Sequence, residues 1–417
     1  MQLTDEEKRM LDGSRGPAVR KSMEILVALG EIYDADRMIA VQSVHMPGSS
    51  IVVAGEAGSS FVEEMSATVE RFVAFTTLNP CAIDRAQWEM LSLREEEVEP
   101  QLSLTRAYEK MGAISCHTCT PYLIGNVPRL GEHIAWGESS AVAFANSVLG
   151  ARTNREGGPT ALASAITGRT PAYGFHLNEN RRGHLLVEVT TPINGFYDFG
   201  NLGYFVGNIA QEKIPVFTGI PSRVTLDELK ILGAALASSG AVALYHAVGV
   251  TPEAHTLEQA FGGTPPKTKL QVGPKELFQT AEKLSKARTS TVDWVFLGCP
   301  HISIQEFAEI AALLAGKRVN KGVDLWVSSS VAVKALADIM GYGAIIESAG
   351  ARIVCETCPV LALTGSIAER KGFQSITTNS AKMAHYMPGQ FNILPHYGTT
   401  QQCINAAISG RWERNDG

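Results

Sequence analysis

The sequence predicts an α/β protein built from doubly wound parallel sheets, and two observations support this prediction. First, short apolar stretches alternate with segments whose apolar residues recur at helical spacing, which is the order of elements in such sheets. Second, polar or thiol-containing loops follow several predicted strands, and ligands bind at that end of the strands in this fold class. The predicted strands are residues 38–41, 72–77, 185–189, 242–246, 294–298, 325–328, 352–355 and 375–378.

Amphipathic patterns place helices before and between these strands. Thr4 and Glu7 have the spacing of a capping box, which predicts that a helix begins after Thr4. Apolar residues at helical spacing predict further helices at 18–32, 305–314 and 331–340. The stretch at 260–267 is rich in Gly and Pro, so we expect a boundary there. This divides the chain into an N-terminal α/β region at 1–260, with the candidate anion-binding loops, and a C-terminal α/β region at 261–417.

Composition and charge exclude several classes of function. The chain has 417 residues, of which 45% are hydrophobic, and this suffices for about two or three domains. A net charge of −6 does not suggest a nucleic-acid-binding surface. We find neither an apolar run long enough to span a membrane nor a signal peptide in the acidic stretch at 1–8, so we expect a cytoplasmic protein. Seven cysteines without an export signal are expected to be reduced thiols.

The thiols allow four interpretations. Cys116/Cys119 and Cys355/Cys358 are Cys-x-x-Cys pairs, which occur in zinc sites and redox pairs. Reduced thiols also pack as small apolar groups. An iron–sulfur cluster is the fourth interpretation, because thiols in separate turn-like or strand-end contexts can hold a cluster together. If only three thiolates bind, one iron stays open as a Lewis acid for a substrate hydroxyl, which is a dehydratase arrangement.

Two segments are candidate anion sites. The Gly-rich loop at 150–159 carries Arg152 and Arg155, and arginines beside backbone amides suit carboxylate or phosphate groups. The alternative is that these cations stabilise the C-terminus of the preceding helix. The second segment begins a predicted helix capped by Asn379 or Ser380, whose N-terminus would favour an anion.

Several long blocks run in order through the chain: CTPYLIGNVPRLGEHIAWGESSAVAFANSVLGARTNREGGP at 119–159, HLNENRRG at 176–183, GCPH at 298–301, ETC at 356–358 and NSAKMAHYMPG at 379–389. Together they resemble the aconitase X family. The resemblance implies stacked, aconitase-like α/β domains and a hydro-lyase that dehydrates a small hydroxy acid. It also implies a small swivelling β domain, which we expect as a separate small subunit because the sequence ends at Gly417. The catalytic base, a serine in the aconitase pattern, would lie on that partner, so no catalytic residue is assigned here.

The resemblance also assigns residues to the site. It implies an iron–sulfur cluster, expected as 4Fe–4S, with Cys299, Cys358 and Cys403 as ligands. Cys119 and Cys355 are weaker candidates. The substrate-binding candidates are Ser139, Arg152, Asn154, Arg155, Ser380, Lys382 and His385.

The segment at 154–174 favours one branch of the family. It resembles the branch that acts on mevalonate 5-phosphate, so we expect its dehydration to anhydromevalonate phosphate in isoprenoid biosynthesis by the mevalonate pathway. The first alternative is the branch that dehydrates cis-3-hydroxy-L-proline. An alternative of another class is a non-catalytic, thiol-rich subunit that binds metal as a scaffold.

Overall fold

A computed structural model of the chain describes residues 1–264 and 266–413. It has an α/β fold in which parallel sheets are flanked by helices. The strands are β1 (Met38–Ala40), β2 (Ser43–Met46), β3 (Phe75–Leu78), β4 (Ile114–His117), β5 (Ala135–Trp136), β6 (Arg169–Pro171), β7 (Leu185–Val189), β8 (Pro215–Thr218), β9 (His246–Ala247), β10 (Thr268–Val272), β11 (Trp294–Leu297), β12 (Asp324–Ser329), β13 (Arg352–Cys355), β14 (Ser375–Thr378) and β15 (Leu394–Tyr397).

The helices connect and cover these strands. They are α1 (Asp5–Leu11), α2 (Pro17–Ile32), α3 (Ile51–Ser66), α4 (Glu95–Lys110), α5 (Ser139–Ser147), α6 (Gly158–Thr167), α7 (Gly195–Ala210), α8 (Leu226–Gly240), α9 (Leu257–Ala260), α10 (Pro274–Leu284), α11 (Ile304–Leu314), α12 (Val331–Ile339), α13 (Tyr342–Ser348), α14 (Thr364–Lys371), α15 (Ala381–Phe391) and α16 (Thr400–Ser409). Across the described residues, no helix is both long and apolar enough to cross a membrane.

The strands form three parallel sheets and one short antiparallel pair. The first sheet has the order β4-β3-β2-β5, the second β10-β7-β8-β9 and the third β13-β12-β11-β14-β15. The antiparallel pair is β1 with β6. Crossover helices join neighbouring parallel strands, as this topology requires. All strands within a parallel sheet end at the same edge, so the loops after them lie close together.

The third sheet is buried on both faces, and its side chains alternate between two cores. Val295 and Leu297 of β11 belong to one core, while Trp294 and Phe296 belong to the other. This alternation follows from the two-residue period of a strand. On β13 it puts Val354 in the core with Trp294 and leaves Cys355 in the opposite one. The alternation of side chains along β13 therefore places the thiol of Cys355 on the opposite face of the sheet from Val354.

The predicted helices are confirmed, and the predicted strands only in part. Thr4 caps α1 with the expected capping box, and α2, α11 and α12 match their predicted ranges closely. The predicted strand at 242–246 is wrong except at its last residue, because the chain enters β9 only at His246. The sequence did not predict β2, β4, β5, β6, β8, β10 and β15, which are short or carry polar residues.

Candidate active site

The carboxyl ends of the first and third sheets contribute to one pocket of about 320 Å³. From the first sheet, Asn79 follows β3, Cys119 follows β4 and Glu138 follows β5. From the third sheet, Cys299 follows β11 and Cys358 follows β13. The full lining is Pro47, Val53, Asn79, Pro80, Cys119, Gly137, Glu138, Ser139, Arg155, Gly298, Cys299, Cys358, Val360, Leu361, Lys382, Tyr386 and Gln390. Two sheets thus supply one site.

Three thiols line this pocket. Cys119, Cys299 and Cys358 are all buried. The backbone N–H of His301 donates a hydrogen bond to Cys119 Sγ at 3.2 Å, which links the thiol of the first sheet to the GCPH segment. Burial raises the pKa of all three thiols above the usual value, that of Cys358 to about 12. Without a bound metal these groups are therefore neutral thiols, and metal binding would have to release their protons.

The position of Cys299 depends on Gly298. Gly298 has a φ of 130°, and a Cβ added there would lie 2.5 Å from the carbonyl oxygen of Ser328. A larger residue cannot be accommodated so close to the backbone of β12. The hydroxyl of Ser380 donates to the carbonyl oxygen of Cys299, which ties the loop to the start of α15.

The loop that carries Cys358 is held by a buried ion pair. Glu356 has a φ of 65°, which is uncommon for a residue other than glycine. Its carboxylate accepts two hydrogen bonds from Arg85, at 2.7 and 2.6 Å, and one from the backbone N–H of His117 in β4 at 3.4 Å. Breaking one partner of a buried pair of this kind is costly, so this contact holds the loop against the first sheet.

A lysine–glutamate pair lies on the same pocket as the thiols. Lys382 Nζ lies 2.5 Å from Glu138 Oε1 and 3.3 Å from Ser139 Oγ. Glu138 caps α5 and also accepts a hydrogen bond from Asn79 Nδ2 at 3.4 Å. Burial alone would raise the pKa of Glu138, but Lys382 and the hydrogen bonds hold it well below its usual value. Burial likewise opposes the charge of Lys382, yet Glu138 raises its pKa. The pair is therefore charged at neutral pH.

Of the residues predicted for substrate binding, Ser139, Arg155 and Lys382 line the pocket. Arg152 and Asn154 instead hold the turn at 173–176: Arg152 donates to the carbonyl of His176 at 3.2 Å, and Asn154 bonds the backbone of Tyr173 and Phe175. The side chains of Arg152 and Asn154 therefore stabilise this turn, and neither lines the pocket.

Two further substrate-binding candidates also bond elsewhere. Ser380 caps α15 and donates to Cys299, as described above. His385 Nδ1 lies 2.9 Å from the Tyr204 hydroxyl, on a half-buried part of α15. Of the three substrate-binding candidates at 380–385, only Lys382 therefore lines the pocket.

The structure separates two of the candidate metal ligands from the others. Cys403 lies within α16 and packs in the core that contains Leu297 and Val295. Cys355 packs in the same core, and its backbone N–H donates to Asp84 at 2.8 Å. The expected ligand set of Cys299, Cys358 and Cys403 is therefore not assembled, because Cys403 faces the opposite core. Cys119 takes the third place on the pocket.

The three thiols on the pocket can be tested as a donor set for a metal centre. Within 1–264 and 266–413, no three His, Cys, Asp or Glu side chains lie close enough to hold one metal ion. Three thiols on one pocket fit the chemistry of an iron–sulfur cluster, in which each thiolate would bind a different iron. Their loops come from both sheets.

Comparisons with known proteins agree with this architecture. Family models for the first, second and third domains of aconitase X match residues 1–179, 183–282 and 292–409. The chain belongs to the aconitase X family. It is 47% identical to the phosphomevalonate dehydratase large subunit of Methanothermobacter thermautotrophicus, over 92% of this chain and 93% of that one. It is 38% identical to the cis-3-hydroxy-L-proline dehydratase of Pseudomonas aeruginosa, over 97% of this chain and 70% of that one.

A solved structure extends the comparison to the fold. The crystal structure of aconitase X from Thermococcus kodakaraensis in its holo form superposes with a TM-score of 0.87 at 40% identity, covering 98% of this chain and all of that chain. The predicted fold class is confirmed. The named relatives are dehydratases, so this aconitase X protein is a hydro-lyase.

Sequence reasoning missed several residues of the aconitase X pocket. Glu138, Asn79, Tyr386 and Gln390 all line it, and none was predicted. The sequence does carry a signal for Glu138, because only Gly137 separates it from the apolar run Ile134-Ala-Trp136 and a helix begins after it. An acidic residue at the end of a strand that begins a helix is a candidate for both capping and ligand binding. Tyr386 and Gln390 follow Lys382 by four and eight residues on α15, which is the spacing of one helix face.

Proposed function

We propose that this aconitase X protein removes water from mevalonate 5-phosphate to give anhydromevalonate phosphate, as the large subunit of a two-subunit enzyme. The observation that carries the proposal is the convergence of three thiols, the Lys382–Glu138 pair and Arg155 on one pocket. A substrate with a carboxylate, a hydroxyl and a phosphate needs two cationic contacts and one group that activates the hydroxyl. The pocket offers all three kinds of contact.

The three thiols would hold the cofactor. An iron–sulfur cluster bound by Cys119, Cys299 and Cys358 would supply a Lewis-acidic iron for the substrate hydroxyl. This assignment replaces Cys403 by Cys119 in the ligand set expected from the sequence.

The two cations would bind opposite ends of the substrate. Lys382 is only 8% exposed and is fixed by Glu138, so it suits the carboxylate next to the reacting carbons. Arg155 is exposed at the pocket wall and suits the phosphate, whose charge benefits from a guanidinium fork. Ser139 Oγ, bonded to Lys382, adds a hydrogen-bonding group. Fixing both ends orients the reacting bond and lowers the entropic cost of reaction.

A separate small subunit would complete the enzyme and supply the catalytic base. The relatives named as large subunits are covered over 93% and 95% of their length, whereas the hydroxyproline dehydratases are covered over only 70%. The longer relatives therefore contain additional sequence that the large subunits lack. We propose that a separate partner contributes the equivalent part here.

The decisive experiment is an anaerobic assay of the chain with its small subunit on each candidate substrate. We expect phosphomevalonate to lose water, which phosphorus NMR can detect. We expect cis-3-hydroxy-L-proline to remain unchanged. The second substrate is the alternative that the Pseudomonas relative favours. Turnover of hydroxyproline alone would refute the substrate proposal. A colourless protein with stoichiometric zinc would refute the cluster and support the non-catalytic scaffold.

A further inference from the structure

His301 contacts the segments that carry the thiols of the pocket, and the function above gives its side chain no role. It follows Cys299 by two residues in the GCPH segment. Its side chain is 0% exposed and does not line the pocket. A buried imidazole needs hydrogen-bond partners for its ring nitrogens, because leaving a buried polar group unpaired is costly. Both partners of His301 lie beside the other two thiols.

The Nδ1 atom of His301 bonds the segment that carries Cys119. It lies 3.0 Å from Thr118 Oγ1, and that oxygen also accepts a hydrogen bond from the backbone N–H of Thr120 at 3.1 Å. Thr118 and Thr120 are the two chain neighbours of Cys119. The contact therefore joins the imidazole to a turn that encloses this thiol.

The Nε2 atom bonds the segment that carries Cys358. It lies 3.2 Å from the carbonyl oxygen of Thr357, the residue before Cys358. A carbonyl oxygen only accepts hydrogen bonds, so Nε2 is the donor. The hydroxyl of Ser328 donates to the same carbonyl at 2.5 Å. Two donors thus fix the backbone immediately before this thiol.

The main chain of His301 makes the third contact, because its N–H donates to Cys119 Sγ at 3.2 Å. Hydrogen bonds to the sulfur atoms are among the features that set the reduction potential of an iron–sulfur cluster. A substitution by another side chain with a backbone N–H does not remove this donor. The two ring contacts, however, determine where the donor points.

His246 is a useful comparison, because it is a buried histidine without thiols nearby in its sheet. It is 2% exposed, and its Nε2 lies 2.7 Å from the carbonyl oxygen of Arg181. Its Nδ1 has no partner among residues 1–264 and 266–413. It lies on β9 of the second sheet, which carries none of the three thiols. His301 differs because each of its polar hydrogen-bonding nitrogens reaches a segment with a thiol of the pocket.

We propose that His301 is a positioning residue that holds the three thiols of the pocket in the arrangement an iron–sulfur cluster requires. This inference rests on the cluster of the proposed function and adds a residue that touches neither the substrate nor the metal. Groups that orient metal ligands usually contribute about 10–100-fold to metal affinity. The role concerns assembly of the site, so it can be measured without turnover.

The test is resistance of the anaerobically reconstituted full chain to EDTA. His301→Leu removes both ring contacts, and we expect the EDTA concentration that extracts half of the iron to fall by about 10–100-fold. The electron paramagnetic resonance spectrum of the reduced cluster should change in the protein that retains iron. His301→Gln keeps an amide donor for the Thr357 carbonyl and should recover part of the resistance.

Two controls separate positioning from packing. His246→Leu makes the same change in the second sheet, and we expect a loss of stability in urea with EDTA resistance and spectrum unchanged. Thr118→Val removes the hydroxyl beside His301 Nδ1 and should lower EDTA resistance, whereas Thr118→Ser keeps the hydroxyl and should restore it. This pair also decides the question if circular dichroism shows that His301→Leu is unfolded.

The outcomes distinguish this inference from the proposed function. A wild-type protein that takes up no iron and sulfide would refute the cluster and this role of His301 with it. A wild-type cluster whose EDTA resistance and spectrum are the same in the folded His301 and Thr118 variants would refute the positioning role alone. Equal loss of EDTA resistance in His301→Leu and His246→Leu would show a general effect of stability and would also overturn it.

Discussion

Two buried lysines of this protein make similar ion pairs in different surroundings. Lys382 pairs with Glu138 on the wall of the active-site pocket. Lys230 of α8 is 1% exposed and pairs with Asp227 at 2.9 Å and with Glu306 of α11, joining two helices. The cysteines show the same contrast, since Cys119 lines the pocket while Cys403 is sealed in a core. Chemically equal groups can therefore serve binding in one place and stability in another.

The largest effect is expected from the cysteine pair. Cys119→Ser should remove the visible absorbance of a reconstituted cluster and abolish dehydration, because serine is a poor ligand for iron in such clusters. Cys403→Ser should retain both, with only a cost in stability from a polar atom in an apolar core. Iron and sulfide content after anaerobic reconstitution measures the difference. The ligand set expected from the sequence predicts the reverse, so loss of the cluster in Cys403→Ser alone would refute the structural assignment.

Replacing Lys230, the lysine buried between α8 and α11, should affect stability most. Lys230→Met leaves Glu306 and Asp227 buried without their cation, which is expected to cost about 3–5 kcal/mol in the free energy of unfolding. Urea denaturation followed by circular dichroism measures this. Adding Glu306→Gln removes the uncompensated charge and should recover part of the loss, because a neutral amide is less costly to bury. Equal stability of Lys230→Met and wild type would show that the ion pair contributes nothing.

Replacing Lys382, the lysine on the active-site pocket, by methionine should mainly affect catalysis. Lys382→Met removes the proposed contact to the substrate carboxylate and should lower kcat/KM by about 10²–10³, the usual effect of losing one preorganised charge contact. It also leaves Glu138 unpaired, so some loss of stability is expected, smaller than in Lys230→Met because Glu138 is partly exposed to the pocket. Steady-state kinetics and urea denaturation on both methionine variants separate the two roles. The contrast would fail if Lys382→Met kept full activity.

The structure brings predicted residues from both sheets to the pocket and adds others that the sequence did not indicate. The third sheet has apolar strands such as Trp294–Leu297, so the ends of its strands were recognised, and the family resemblance placed Cys299, Cys358 and Lys382 in the segments that follow them. The first sheet has short strands with polar residues, such as Ile114-Ser-Cys-His117, whose pattern is weak. The ends of its strands were therefore not recognised. The family resemblance indicated Cys119, Ser139 and Arg155, but Asn79 and Glu138 were missed.

The placement of Cys403, Arg152 and Asn154 shows a different limit. A residue type suited to the chemistry does not reveal which way its side chain points. Cys403 resembles a loop ligand in sequence, yet Thr399 caps α16 and the helix turns the thiol into the core. Arg152 and Asn154 have the right groups for an anion, but the turn at 173–176 needs their hydrogen bonds. Only tertiary contacts decide such cases.

The smallest effect concerns the pH dependence of the Glu138 contribution. The pKa of Glu138 in the folded protein lies well below its usual value of 4.5, so the ion pair is charged throughout mild acid. A lowered carboxyl pKa stabilises the fold fully above the unfolded pKa, and this stabilisation is lost as the pH falls below it towards the folded pKa. The difference in unfolding free energy between wild type and Glu138→Gln should therefore stay constant from about pH 8 to about pH 5.5 and shrink only in stronger acid. Urea denaturation of both proteins across this range measures the difference. A decline already between pH 7 and 6 would mean that Glu138 is protonated near neutrality, and the pocket would then resemble the environment of Glu306, whose pKa burial raises despite its lysine.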